Sequence, residues 1–172
     1  LQKLYHRQEW TKWAKRDTTT AAHWAPLPTP PKTIVVVPTS EKEPFTWRYT
    51  TQGPAANWFT PEFDASSWKE GPGGFGTQGT PGGVVRTEWS TPDIWLRREF
   101  AMPDGKWTDL QFRIHHDEDV EVYVDGVLAT QVSGYVADYE AVRIKTKARE
   151  ILKPGKHVLA VHCKQTRGGQ YI

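Results

Sequence analysis

Sulfur is scarce in this chain: one cysteine, Cys163, and one methionine, Met102, among 172 residues. A lone cysteine excludes an intrachain disulfide. Its setting, His157-Val158-Leu159-Ala160-Val161-His162-Cys163, predicts a strand and an inert buried thiol. Long apolar runs are missing too. The longest uncharged one, Ile34-Val35-Val36-Val37, is far too short to cross a bilayer, so no membrane partner is expected. No charge sign dominates: 22 basic residues face 20 acidic ones, a net charge of +2, which argues against nucleic acid as a partner. No signal peptide is visible, and Leu1 is not an initiator residue, which predicts a piece of a longer polypeptide.

Catalytic signatures are missing as well. There is no nucleophile elbow and no phosphate-cradling loop before a helix. His115-His116 beside Asp117, and His157 with His162, lack metal-motif spacing. A glycosidase needs two carboxylates facing each other across a sugar, and no acid here sits in such a frame. The domain is expected to be non-catalytic.

What is abundant is aromatic: nine Trp, six Tyr and six Phe. Such rings serve either as core payload or as exposed platforms for sugar rings. The clearest local pattern runs from His115 to Leu128. Val120, Val122 and Val124 alternate with Glu121, Tyr123 and Asp125, the period of a half-buried strand. Asp125-Gly126 supplies the positive φ values of a tight hairpin turn, and Val127-Leu128 starts the return strand.

Leu1 to Arg16 reads as an amphipathic helix, and Asp17 to Lys32 as a linker rich in Thr and Pro. Residues 1–32 are therefore expected to be an extension and 33–172 the domain. Strands are expected at Ile34–Val37, Phe45–Thr50, Ile94–Phe100, Asp109–His116, Tyr139–Ile144 and His157–Cys163. Gly71 to Gly83 holds seven glycines and two prolines and reads as an irregular loop. A single helical turn is expected near Ala148–Leu152. Many short strands punctuated by Gly and Pro turns predict an all-β antiparallel jelly-roll sandwich with a short N-terminal helical extension.

Four segments occur in a telling order. They are Phe63-Asp64-Ala65-Ser66-Ser67-Trp68, Trp95-Leu96-Arg97-Arg98-Glu99-Phe100, Val120 to Gly126, and Leu152-Lys153-Pro154-Gly155-Lys156-His157-Val158-Leu159-Ala160-Val161. Together they resemble the sugar-binding-type jelly roll of glycoside hydrolase family 2, within the galactose-binding-like accessory domains of carbohydrate-active enzymes. The resemblance covers roughly residues 45 to 172. It implies a sandwich attached to a larger hydrolase, secreted or periplasmic, whose catalytic residues lie on a separate barrel domain. A barrel of that kind needs about 250 residues, more than this chain has. The partners implied are a polysaccharide or oligosaccharide and the catalytic domain of the same chain. The alternative is a scaffold domain that packs on that barrel and has no ligand of its own. Two departures stand out: the long glycine-rich stretch from Gly71 to Trp89, and the acidic run Asp117-Glu118-Asp119.

Sugar binding needs an aromatic face against the C–H side of a pyranose, flanked by hydrogen-bonding side chains. Loop aromatics beside such groups are the candidates: Trp89 with Arg86, Tyr135 after Gly134, Tyr171 with Gln170, and Trp58 beside Asn57. Trp68 and Trp95 fall in the recurring fold segments and are expected in the core. One of Arg97 and Arg98 is expected to pair with a buried acid. Asp117 and Glu118 are candidate ligands for a structural Ca²⁺, which the resemblance also implies. The other reading of the acidic run is a solvated loop, or pairing with Arg113 or Arg143.

Overall fold

A computed structural model describes residues 32–172. The expected helix over 1–16 and nearly all of the linker lie outside the described residues. The compact unit considered below runs from Val35 to Ile172.

The unit is an all-β sandwich. One layer is a six-stranded sheet in the order β2-β1-β5-β10-β7-β8. Its strands are β1 (Thr46–Thr50), β2 (Lys69–Pro72), β5 (Asp93–Met102), β7 (Asp119–Val124), β8 (Val127–Val132) and β10 (Gly155–Lys164). Every pairing within it is antiparallel. The second layer is built from smaller pieces. These are the antiparallel ribbon β6 (Gln111–Ile114) with β9 (Glu140–Arg143), the short parallel pair β3 (Phe75–Gly76) with β4 (Thr87–Glu88), and a six-residue helix, Thr146–Ile151.

Register explains the core. Cys163 sits between Ile94 and Val120, and Val161 between Leu96 and Val122. These rows share one face because side chains on a strand alternate. Phe75, Trp89, Ile144, Ala148 and Leu152 meet them from the second layer. The predicted hairpin is present: Asp125 has φ 45° and Gly126 φ 84°, which a two-residue turn matched to strand twist requires. Asp125 also caps the neighbouring strand, its Oδ1 accepting from Val158 N at 2.7 Å. Cys163 is fully buried, and burial pushes its thiol pKa up, so it is an inert core residue.

The outer face of the large sheet is also covered at its centre. The segment around Trp58 to Trp68 lies across it, and Ala160 beneath is fully buried. Arg97 fastens this cover. Its guanidinium donates to the carbonyl oxygens of Trp58 and Phe63 and lies 5.4 Å from the Phe63 ring centroid. The expected acid partner is therefore replaced by carbonyl dipoles and a π face. Arg98 points to the other face, over the rings of Phe45 and Trp47.

Three further expectations are corrected. Ile34–Val37 is not a strand: Ile34 and Val35 are exposed, and no neighbour offers them a ladder. Trp68 is half-buried against Phe63 rather than in the main core. Trp95 is half-buried on the outer face, stacked on His162 at 4.7 Å, because alternation from Ile94 and Leu96 turns it outward.

Candidate functional site

Sheet register gathers three loops at one end of the sandwich. Lys164 lies beside Asp119, and Val120 beside Val132. The segment entering β7, the loop leaving β8 and the loop leaving β10 therefore emerge together. They frame an open cleft of about 370 Å³. Asp117 and Glu118 come from the first, Tyr135 from the second, and Arg167 and Gly169 from the third. Thr80 from the glycine-rich stretch closes the side. Asp119 Oδ1 ties the second loop down by accepting from Gly134 N at 2.8 Å.

Asp117 is the most informative residue of the cleft. Its backbone is fixed, N donating to Tyr171 O at 2.9 Å. The residue as a whole is 7% exposed, yet it lines the opening. Burial raises the pKa of its carboxyl and Glu118 adds to this, while His116 opposes them; no hydrogen bond to the carboxylate contributes. Gly169 makes room for it, since a Cβ there would stand 2.8 Å from Asp117 Oδ2. Its carboxylate oxygens are not among the fully buried polar atoms that lack a partner, so the group reaches the cleft and is open to a donor there. Glu118, by contrast, accepts a hydrogen bond from the Thr166 hydroxyl. Behind it, His116 Nδ1 donates to the Glu118 carbonyl at 2.5 Å.

Tyr135 supplies the ring. It is 71% exposed, the most open large aromatic of the described residues. Thr80 is buried and braces the floor: its hydroxyl accepts from Gln170 N at 3.0 Å and donates to Thr77 O at 3.0 Å. An aromatic face, an unpaired carboxylate and a guanidinium around an open cleft suit a polyhydroxylated ligand.

The structure thus brings Tyr135, Asp117 and Glu118 together and sends the other candidates elsewhere. Trp89 is a core residue at 1% exposure, its Nε1 donating to Thr91 Oγ1 at 3.0 Å and to Asp93 O at 3.2 Å. Tyr171 is fully buried behind the cleft, its ring against His115 and its hydroxyl 3.0 Å from that of Tyr139. Gln170 is buried and donates to Thr91 O at 2.6 Å. Trp58 is buried in the outer-face cover, edge-on to Tyr123. Arg86 is half-buried and donates to the Ser40 carbonyl. Neither Trp89 nor Tyr171 offers a face to solvent, because the glycine-rich stretch folds back onto the chain's last residues. Phe75 and Ile172 exchange two backbone hydrogen bonds of 2.9 Å, and that pairing seals the layer. In the polar, glycine-rich segment 165–171 the sequence points to Tyr171 and Gln170 rather than to Arg167, and nothing local marks Thr80; only folding brings Arg167 and Thr80 to Asp117.

Among the described residues, no group of three or more His, Cys, Asp or Glu side chains is placed to hold a metal ion. Calcium takes six to eight oxygens in general, and Asp117 with Glu118 supply only two carboxylates. Arg113, considered as a partner for the acidic run, instead pairs with Glu41 at 3.1 Å. Nor does the cleft hold a hydrolytic pair: its only acids are two consecutive residues, not carboxyls facing each other across a sugar.

No protein-family model and no curated protein sequence matches the chain. Solved structures do match in fold. A family 2 glycosyl hydrolase from Bacteroides cellulosilyticus superposes with a TM-score of 0.54 at 15% identity, over 76% of this chain and 19% of that one. A β-glucuronidase from glycoside hydrolase family 2 gives 0.51 at 17% identity, over 78% of this chain and 15% of that one. A calcium-binding mutant of Bacteroides uniformis β-glucuronidase 2 gives 0.50 at 16%, over 71% and 14%. This chain therefore has the β-sandwich fold of a domain-sized part of family 2 glycoside hydrolase structures. It spans less than a fifth of the length of each.

Proposed function

We propose that this chain is a non-catalytic glycan-binding module of a larger, secreted or periplasmic polysaccharide-degrading glycoside hydrolase, and that the Tyr135 cleft is its binding site. The observation that carries the reading is Asp117: a largely buried residue whose carboxylate reaches an open cleft and takes no hydrogen bond from the described residues. Sugar hydroxyls are the donors it lacks, and charged acceptors make the stronger hydrogen bonds. Tyr135 would receive the C–H face of the same sugar. The fold shared with segments of glycoside hydrolase chains supports the setting.

Affinity gel electrophoresis on a panel of plant and algal polysaccharides tests this. Retardation by one glycan class, lost in Tyr135→Ala, is the expected result. Retardation unchanged in Tyr135→Ala would move the site elsewhere. Running the gels with and without chelator tests the structural Ca²⁺ that Asp117 and Glu118 were expected to ligate; dependence on calcium would assign them to an ion instead of a sugar.

A second reading has its own observation. On the outer face, Trp95 stacks on His162, whose Nε2 lies 2.8 Å from Asp93 Oδ1, and Tyr123 stacks on Phe59 at 4.5 Å. A half-buried aromatic and acidic patch of this kind suits a domain interface. The module would then be a scaffold against a catalytic barrel, and the polysaccharide panel would stay blank.

A further inference from the structure

We infer that the Tyr135 cleft is a blind pit that takes the end of a glycan chain or the tip of a branch, and not a stretch of chain interior. This rests on the glycan reading above and adds which part of the glycan is recognised. Four segments line the cleft, and each is joined to the next, so that the wall closes on itself. The segment entering β7 meets the loop after β8 where Gly134 N donates to Asp119 Oδ1 at 2.8 Å and Val136 N donates to His116 O at 3.0 Å. That loop meets the glycine-rich stretch at Gly82, where an added Cβ would collide with the Ala137 carbonyl oxygen. The glycine-rich stretch meets the loop after β10 where Gln170 N donates to the Thr80 hydroxyl at 3.0 Å. The same two segments touch again at Gly169, whose added Cβ would stand 3.0 Å from Thr80 Cγ2. The ring is completed where the Thr166 hydroxyl donates to the Glu118 carboxylate.

Depth runs the same way. Asp117 and Thr80 at the floor are both buried, while Tyr135 and Arg167 at the rim are exposed. A groove that passes a chain through it needs two open ends at the level of its floor. Here each gap between neighbouring segments is bridged by a hydrogen bond or a close contact. A sugar inside a chain carries a linkage on both sides, and a closed wall leaves a way out only over the rim. The volume of about 370 Å³ is near the low end for ligand pockets, room for about one or two sugar rings. Sugars further along the chain then stand in water and add little to affinity.

The test uses the full chain and size ladders of cello-, manno-, xylo- and galacturono-oligosaccharides, from the single sugar to the hexasaccharide, titrated by calorimetry. In the series that binds, affinity is expected to level off by the disaccharide, with the hexasaccharide within about threefold of it. Tyr135→Ala is expected to abolish binding of the short and the long member alike. The parent polysaccharide of that series is then compared before and after partial hydrolysis at equal mass, and capacity is expected to rise in proportion to the chain ends released. Branched polymers, rich in ends, should likewise retard the chain in gels more than linear polymers of the same sugar. Borohydride reduction opens the ring at the reducing end and assigns the terminus. Lost binding puts that end in the pit, and retained binding puts the opposite end or a branch tip there. Affinity that climbs more than about tenfold from disaccharide to hexasaccharide, or capacity set by mass rather than by ends, would overturn the pit and leave the cleft a site for chain interiors. Binding untouched by Tyr135→Ala would overturn it too. A blank result on every ladder would instead contradict the glycan reading itself, and this inference with it.

Discussion

Trp89 and Tyr135 are both large aromatic residues, and replacing each by alanine is expected to have opposite consequences. Trp89→Ala empties a core position and strands Thr91 and Asp93 partners, so it should cost about 3–5 kcal/mol in urea unfolding. Tyr135→Ala touches no core and should stay within about 0.5 kcal/mol of the parent while abolishing glycan retardation. A single residue also sets a pH response. His157 Nδ1 lies 2.6 Å from Asp125 Oδ2 and Nε2 lies 2.7 Å from Lys153 O. Both partners only accept, so both ring nitrogens donate and the ring is an imidazolium. Burial works against that charge, but the bonds to Lys153 and Asp125 outweigh it and raise the pKa. The stabilisation is thus complete below the unfolded value of about 6.5 and is lost as pH rises through the higher folded value. Urea midpoints at pH 5.5 and pH 8.5 should show this loss in the parent and little of it in His157→Gln.

Elements differ in how far local sequence specifies them. The hairpin β7–β8 was legible because its signal is local: a period of two, then Asp125-Gly126 at positive φ. Gly126→Ala should therefore cost about 1–2 kcal/mol through the left-handed backbone alone. Thr60 leaves space for the methyl, at 3.6 Å or more from the added carbon. The glycine-rich stretch was not legible in the same way. Its short strand β3 is built by non-local partners: Phe75 and Gly76 pair with Thr87 and Glu88 of β4 and also meet the chain's end, nearly a hundred residues on. That non-local closure turned Trp89 and Tyr171 from expected platforms into core. The cleft was half legible: Asp117, Glu118 and Tyr135 stood out as acids and a loop ring, whereas Arg167 and Thr80 join them only through sheet register. Gly169→Ala tests this loop geometry, because the added methyl would press on Asp117 Oδ2 and Thr80. It should weaken glycan binding more than it lowers stability, as read by titration beside urea unfolding.

At the scale of the molecule, the fold class was legible because many short alternating strands between Gly and Pro turns leave few other architectures. What pattern reading missed was the cover on the outer face, where Arg97 binds carbonyl oxygens rather than an acid. The whole sandwich presents one cleft-bearing end and one half-covered aromatic face. The cleft's only acids are the consecutive Asp117 and Glu118, and on the outer face Asp93 and Glu121 are both turned to the His162 ring, so the chain by itself should turn over no aryl glycoside; measurable release of the aryl group would contradict the non-catalytic reading.

The most direct test of the account is an amide-resolved NMR titration of the isotopically labelled chain with the polysaccharide fragment that retards it best. Shifts centred on Asp117, Tyr135 and Gly169, and absent in Tyr135→Ala, are the predicted result. Shifts centred on Trp95, Tyr123 and His162 instead would contradict the cleft as the glycan site and hand the function to the outer face.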